Sequence, residues 1–241
     1  SISFGTSSPT GDQWYDEGTN TTVSSNWIWN LVSGQSRTAI VNWQLDAVNQ
    51  NPSRHGSGTL TTSSIAMSAS HTVTFISTTQ YYLTVSGGNS VTYGTASPTS
   101  DNWYDSGTST TVSSSWVWNT LAGQSRTIVT NWQLDTVNQN PLRQGSGTLT
   151  TSSVLMSSHH TVTFVSLTQY YLTASGGNGV TTSGSQTSDS WFDSGSSATA
   201  TSNYVWNVVA DQSRNNLYRW NLDSGSWSNI ARANTGTYTT S

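Results

Sequence analysis

The chain has no cysteine and no lysine, and only 7% of its 241 residues are charged. Without cysteine there is no disulfide, no thiol nucleophile and no Cys-ligated zinc. Without lysine, the Lys–Asn isopeptide cross-links that fasten some surface β modules are ruled out. All seven cations are arginine, and they are scattered. A nucleic-acid binder needs a clustered basic patch, so nucleic acid is not an expected partner. No stretch approaches the roughly 20 apolar residues of a membrane-spanning helix, and no membrane insertion is expected. No signal peptide is present, and the first residue is Ser1, as expected of a processed, exported protein.

Ser, Thr, Asn and Gly dominate what remains, a composition that by itself points to disorder. Against it stand 12 Trp and 10 Tyr. Each aromatic side chain carries a large apolar area, so a modest number can hold a core together and the chain is expected to fold.

The strongest feature is internal repetition. The segment WYDEGTNTTVSSNWIWN begins at Trp14, WYDSGTSTTVSSSWVWN at Trp103 and WFDSGSSATATSNYVWN at Trp191, a repeat of just under ninety residues. GQSRTAIVNWQLD, GQSRTIVTNWQLD and DQSRNNLYRWNLD follow in register. The first two copies are near-duplicates and the third has diverged. The expected modules are residues 1–89, 90–178 and 179–241. The third lacks a match to SVLMSSHHTVTFVS, so it is either truncated or completed by a neighbouring chain.

Local pattern predicts strands. Ala39, Val41, Trp43 and Leu45 fall at every second position, as do Val23, Ser25, Trp27 and Trp29, which is the period of a strand with one buried face. Val73 with Phe75 predicts one strand, and Tyr81, Leu83 and Val85 the next. Gly-, Ser- and Asn-rich runs separate them. No segment has a helical period. The fold class expected is all-β, built of tandem Ig-like sandwich modules of six or seven short strands each.

Candidate chemistry is sparse. Asp16, Asp105 and Asp193 recur at one turn, and Asp46, Asp135 and Asp223 recur at a strand end, where Asp side chains cap backbone. A glycosidase needs two carboxyl groups across one sugar bond, and this pattern favours turns over catalysis. No nucleophile elbow or phosphate loop is present, and the chain is not expected to be an enzyme. No cofactor is expected. The one metal suited to the loop oxygens is calcium, with Asp12 beside Asp16 and Asp101 beside Asp105 in a shared loop. The histidines His55, His71, His159 and His160 read as solvated loop residues. Arg37, Arg126 and Arg214 recur in Gln-Ser-Arg and are expected to bond carboxylates or carbonyls within their own module. Asn20 opens the one glycosylation sequon, which makes glycans a candidate partner. Trp14, Trp103 and Trp191 lie beside turns; exposed, they would stack on sugar rings, giving a carbohydrate-binding or adhesin module as the second functional reading. Trp227 has no counterpart in the other repeats.

At QYYLTVSGGN, WYDSGTSTTV and HTVTFVSLTQYYLT the chain resembles tandem β repeats of archaeal and bacterial extracellular cell-surface proteins. It departs from them in its long module and in Phe75 and Phe164, where related repeats place Trp. The resemblance implies an extracellular, structural or adhesive role and carries no catalytic residues. A sandwich short of a strand leaves an open edge, which pairs readily with another chain. The function expected is therefore a structural subunit of an extracellular filament, pilus-like fibre or surface layer. Copies of the chain would join head-to-tail as a homopolymer, with donor-strand exchange as the route. Interface candidates are Ser1, Ile2, Ser3 and Phe4 at one end, and Trp227, Tyr238, Thr239 and Thr240 at the other.

Overall fold

The computed structural model describes residues 1–240, and every regular element among them is a β-strand. No helix among the described residues is long and apolar enough to cross a membrane. The chain divides into two compact units. One comprises Ser1–Ser114, Trp132–Gln139 and Thr150–Thr163; the other comprises Ser115–Asn131, Asn140–Leu149 and Phe164–Ser241. This division differs from the repeat boundaries, because residues of the second repeat fall in both units.

In the first unit, Ile2–Phe4, Val23–Asn26 and Thr59–Thr61 form a three-stranded antiparallel sheet. A second layer begins with the hairpin of Ile28–Val32 and Ser36–Leu45 and continues into the strand Val73–Gly87. Trp27, Ile40, Trp43 and Leu60 make the core between them, with Val73 and Phe75 packed against it. These side chains carry the apolar area that the Ser- and Thr-rich surface lacks.

Two details of this layer depart from the alternation read in the sequence. Ile40 pairs with Ser77 and Asn42 with Ile76, so Val41 is an additional, bulged residue. A bulge shifts the side-chain register by one. Ala39 and Ile40 are therefore both buried, and Asn42 and Trp43 after them, while Val41 is only half-buried. The two strands expected around Phe75 and Leu83 are also one continuous strand of 15 residues, Val73–Gly87. Its first half serves the first repeat. Its middle, Gln80–Tyr82, pairs with Trp103–Asp105 of the next.

The second unit repeats this local arrangement. Val117, Trp118 and Leu121 pair with Ile128, Thr127 and Ser125, and Gln169–Tyr171 pairs with Trp191–Asp193. Thr181–Ser183, Thr199–Asn203 and Thr237–Thr239 form a further three-stranded sheet. The third repeat's hairpin, Val205–Val209 with Ser213–Asn216, stands as a two-stranded sheet. Among the described residues no strand lies on the far side of Ser213–Asn216.

The expected interface residues are engaged locally. Ile2 pairs with Ser25, Ser3 with Ser24 and Phe4 with Val23, although Ile2 and Phe4 keep exposed side chains. Ser1 is exposed beside them. Tyr238 and Thr239 pair with Ser202 and Thr201, and the Thr240 amide donates to the Ala200 carbonyl.

Candidate functional site

The most developed polar constellation lies where one repeat meets the next, and it is built twice. In the first unit, Arg37 projects from strand Ser36–Leu45 with its side chain 5% exposed. Its Nε donates to Gln80 Oε1 at 2.7 Å and its Nη2 to Thr99 Oγ1 at 3.0 Å. The same Nη2 meets Asp101 Oδ2 at 2.9 Å. Gln80, fully buried, passes the network on: its Nε2 donates to Asp105 Oδ1 at 2.9 Å. Only one orientation of the amide satisfies both neighbours, since Arg cannot accept and an ionised Asp cannot donate. Arg54 completes the lock, with Nη1 and Nη2 reaching the two oxygens of Asp105 at 2.7 Å each. Such two-pronged pairing is the strong form of the Arg–carboxylate contact.

The second unit holds the same set. Arg126 Nε donates to Gln169 Oε1 at 2.8 Å, and its Nη2 reaches Thr187 Oγ1 at 3.1 Å and Asp189 Oδ2 at 2.8 Å. Arg143 Nη1 reaches Asp193 Oδ2 at 2.6 Å, and Gln169 Nε2 donates to Asp193 Oδ1 at 2.9 Å. Each upper guanidinium also covers a tryptophan. Arg37 lies 4.6 Å from the Trp103 ring centre and Arg126 lies 4.5 Å from that of Trp191. Tyr82 and Tyr171 flank the same rings.

The electrostatics follow from this enclosure. Burial holds the Arg37 guanidinium below its ordinary pKa, and Asp101 opposes the shift. Burial acts to raise Asp105, but the hydrogen bonds from Arg54 and Gln80 outweigh it and keep the carboxyl below the usual range. A paired, hydrogen-bonded ion set of this kind fixes geometry, and removing one member is costly because the others stay buried.

The geometry corrects several expectations drawn from sequence. The sequence pattern predicts that Arg37 and Arg126 bond within their own repeats; their carboxylate partners Asp101 and Asp189 lie in the following ones. Trp103 and Trp191 are 8% and 9% exposed, closed under arginine, while Trp14 is 77% exposed. They do not form a row of sugar-stacking surfaces. Asp101 and Asp105 are each taken by a different arginine. Among the described residues no group of three His, Asp or Glu gathers as a metal site. His71 and His160 are not free loop side chains. Their Nδ1 atoms meet Asp46 Oδ2 at 2.7 Å and Asp135 Oδ2 at 2.6 Å. The other oxygen of each Asp accepts the Thr72 or Thr161 amide. The His71 hydrogen bond, followed by the Thr72 amide, keeps Asp46 below the ordinary carboxylate value. For Asp135 burial acts upward, and Thr161 and His160 overcome it. Asn20 is exposed at the start of a short strand that pairs with Ile65–Ala66.

Sequence reasoning passes over Arg54, Arg143, Gln80 and Gln169. Their signal is recurrence: each stands at the same place in the first two repeats.

The outermost repeats differ. In the first, Asp12 accepts from the Thr10 hydroxyl and the Trp14 amide, as Asp101 does from Thr99 and Trp103. The loop thus takes its shape without an arginine. In the third, Arg214 is exposed and donates to Asn234 Oδ1 at 3.1 Å. Arg219 lies over Trp227 at 4.1 Å, so the tryptophan without a counterpart meets an arginine without one. Comparison with protein-family models, with curated proteins and with solved structures finds no significant match to the chain.

Proposed function

We propose that the chain is a structural subunit of an extracellular filament or cell-surface layer, assembling head-to-tail with copies of itself and performing no catalysis. The observation that supports this is the doubled joint. The same six side chains, namely two Arg, one Gln, two Asp and one Trp, are spent on fastening one repeat to the next. Arginine, the only cation the chain has, goes there first. A chain built to bind a small ligand would place its scarce charges in a cleft; here four of the seven arginines secure β modules to one another. The exposed Asn20 gives such a surface protein a place for a glycan. Sedimentation velocity over a wide concentration range, with electron microscopy of the same samples, tests the reading. Fibres or concentration-dependent oligomers are expected. A 25.9 kDa monomer at every concentration, with no fibres on the grids, sinks it.

A further inference from the structure

The chain contains a single Asn-Gly pair, Asn178–Gly179, in the Gly-rich loop between strand His160–Tyr171 and strand Thr181–Ser183. Its counterpart one repeat earlier is Asn89–Ser90. The two loops are anchored alike. The Asn89 amide donates to Ser114 Oγ at 2.9 Å, and Ser114 Oγ donates back to the Asn89 carbonyl at 3.2 Å. The Asn178 amide donates to Ser202 Oγ at 3.1 Å, and Ser202 Oγ donates back to the Asn178 carbonyl at 3.3 Å. Within this common frame, Asn89 is half-buried and followed by serine, whereas Asn178 is exposed and followed by glycine.

Three properties of the later loop make the Gly179 nitrogen a nucleophile toward the Asn178 side chain. Gly179 has no Cβ to obstruct approach of the carboxamide carbon. It stands at φ 61, and a Cβ there would lie 2.9 Å from Asn203 Nδ2, so the local structure also favours glycine. Among the described residues, none accepts a hydrogen bond from the Gly179 amide. The Asn178 carbonyl, by contrast, is held by the Asn203 amide at 2.9 Å and by the Ser202 hydroxyl, which it shares with the Asn203 carbonyl. When the Gly179 amide loses its proton, the negative charge spreads onto that carbonyl oxygen. Donors already aimed at the place where charge develops lower the barrier.

We propose that Asn178–Gly179 is a modification site, where the chain cyclises to a succinimide and reopens as aspartate or isoaspartate without an enzyme. Hydroxide removes the Gly179 amide proton, and the nitrogen bonds to Asn178 Cγ. The Cγ–Nδ2 bond breaks, and ammonia leaves with a proton taken from water, which restores the hydroxide. Water then cleaves the imide. Cleavage between Cγ and nitrogen gives aspartate in the ordinary main chain. Cleavage between the α-carbonyl carbon and nitrogen gives isoaspartate, with the main chain running through the former side chain and a free α-carboxylate. Each product adds one negative charge to the loop. In isoaspartate the oxygen held by Asn203 and Ser202 belongs to that carboxylate, so both donors keep an acceptor, now a charged one.

The test uses the whole chain, incubated at mildly alkaline and at mildly acidic pH. Conversion is followed by peptide mapping with electron-transfer fragmentation, which separates isoaspartate from aspartate. At alkaline pH, position 178 is expected to gain the mass of an amide-to-acid exchange, with isoaspartate the larger product. Asn89 is expected to convert roughly tenfold or more slowly. That comparison lies within one molecule and needs no variant. Gly179→Ser, which gives the third repeat the residue that the second carries, is expected to slow conversion at 178 to the Asn89 rate. An intact Asn178 at alkaline pH, conversion of Asn89 at an equal rate, or undiminished conversion in Gly179→Ser overturns the proposal. None of these outcomes depends on whether the chain assembles.

Discussion

Replacing Arg37 by alanine should open the first joint far more than its surface area suggests. The side chain is 5% exposed, and its loss strips a donor from Gln80 and a counter-charge from Asp101. It also uncovers Trp103, now 8% exposed. Breaking a buried pair by removing one partner costs about 3–5 kcal/mol. Asp101 is 33% exposed and can recover part of its solvation, so the lower end, about 3 kcal/mol, is the appropriate figure. With two compact units the chain need not unfold in a single transition, so a local readout is preferable. The Leu83 amide donates to the Asn102 carbonyl and the Ser106 amide to that of Thr79; both hydrogen bonds cross the joint. About 3 kcal/mol corresponds to exchange roughly 150-fold faster at these amides, where exchange occurs by opening of the joint. Arg214→Ala is the internal control. That arginine is exposed on a single asparagine, and its loss should change stability by about 0.5 kcal/mol or less. If Arg37→Ala accelerates the joint amides less than fivefold, or no more than Arg214→Ala affects its own repeat, the lock is not what holds the repeats together.

Other perturbations test neighbouring parts of the structure. Asp105 has its folded pKa below the ordinary carboxylate value, so its stabilisation is complete above about pH 4 and lost as pH falls through the lowered value. Asp105→Asn should therefore weaken the joint at neutral pH and flatten its acid arm; a pH series of joint-amide exchange that keeps the wild-type slope would refute this. Trp103→Ala should destabilise the first unit by about 3–5 kcal/mol and Trp14→Ala by less than about 0.5 kcal/mol, despite their matching repeat positions, because only Trp103 is buried. Calorimetry that finds the two equal would show that the arginine cover is irrelevant. Thr136 sits at φ 73 in a two-residue turn, a conformation that is strained for a β-branched side chain. Thr136→Gly is expected to stabilise by about 1 kcal/mol in urea unfolding, and a decrease in stability would place the turn's preference elsewhere.

The repeats and the all-β class can be read directly, since alternation and aromatic spacing are local properties of the chain. The register of strand Ser36–Leu45 cannot, because nothing in Ala39-Ile40-Val41-Asn42 announces that Val41 will bulge; pairing with Ser77 and Ile76 decides it. The joint is half legible. Asp101, Asp105, Arg37 and Trp103 all stand out as repeated residues, but their partnership spans more than sixty positions from Arg37 to Thr99 and Asp101. Sequence favours the nearer partner in the same repeat. Gln80 is the least visible member. A glutamine in a Thr-rich strand resembles any exposed polar residue, and only its burial between Arg37 and Asp105 reveals its role. The reading of Trp103 and Trp191 as surface aromatics fails for the same reason: the arginines that cover them come from a different repeat.

Residue 234 carries that logic one step further, because it turns a small sequence difference into a rule about which arginines are available. At Gly56 and Gly145 the absent side chain is the space in which an aspartate approaches arginine; at 234 an asparagine fills that space and takes the arginine itself. Gly145→Asn should therefore convert the second joint to the third repeat's arrangement. Its Cβ would stand 2.5 Å from Asp189 Oδ2, so the carboxylate must leave, and the amide is positioned to receive Arg126 in its place. A hydrogen bond from the guanidinium to a neutral acceptor then replaces an ion pair, and Trp191 is left partly uncovered. A destabilisation of about 2–3 kcal/mol is expected from the exchange. Asn234→Gly removes only an exposed hydrogen bond and should cost about 0.5 kcal/mol or less. The pair is measured as joint-amide exchange at the Leu172 and Ser194 amides, which donate to Ser190 and Thr168. Fast exchange in Gly145→Asn with Asn234→Gly unchanged is the expected result. If Gly145→Asn leaves those amides as slow as in the parent chain, the glycine is not a seat for the aspartate, and the difference between the third repeat and the other two has another cause.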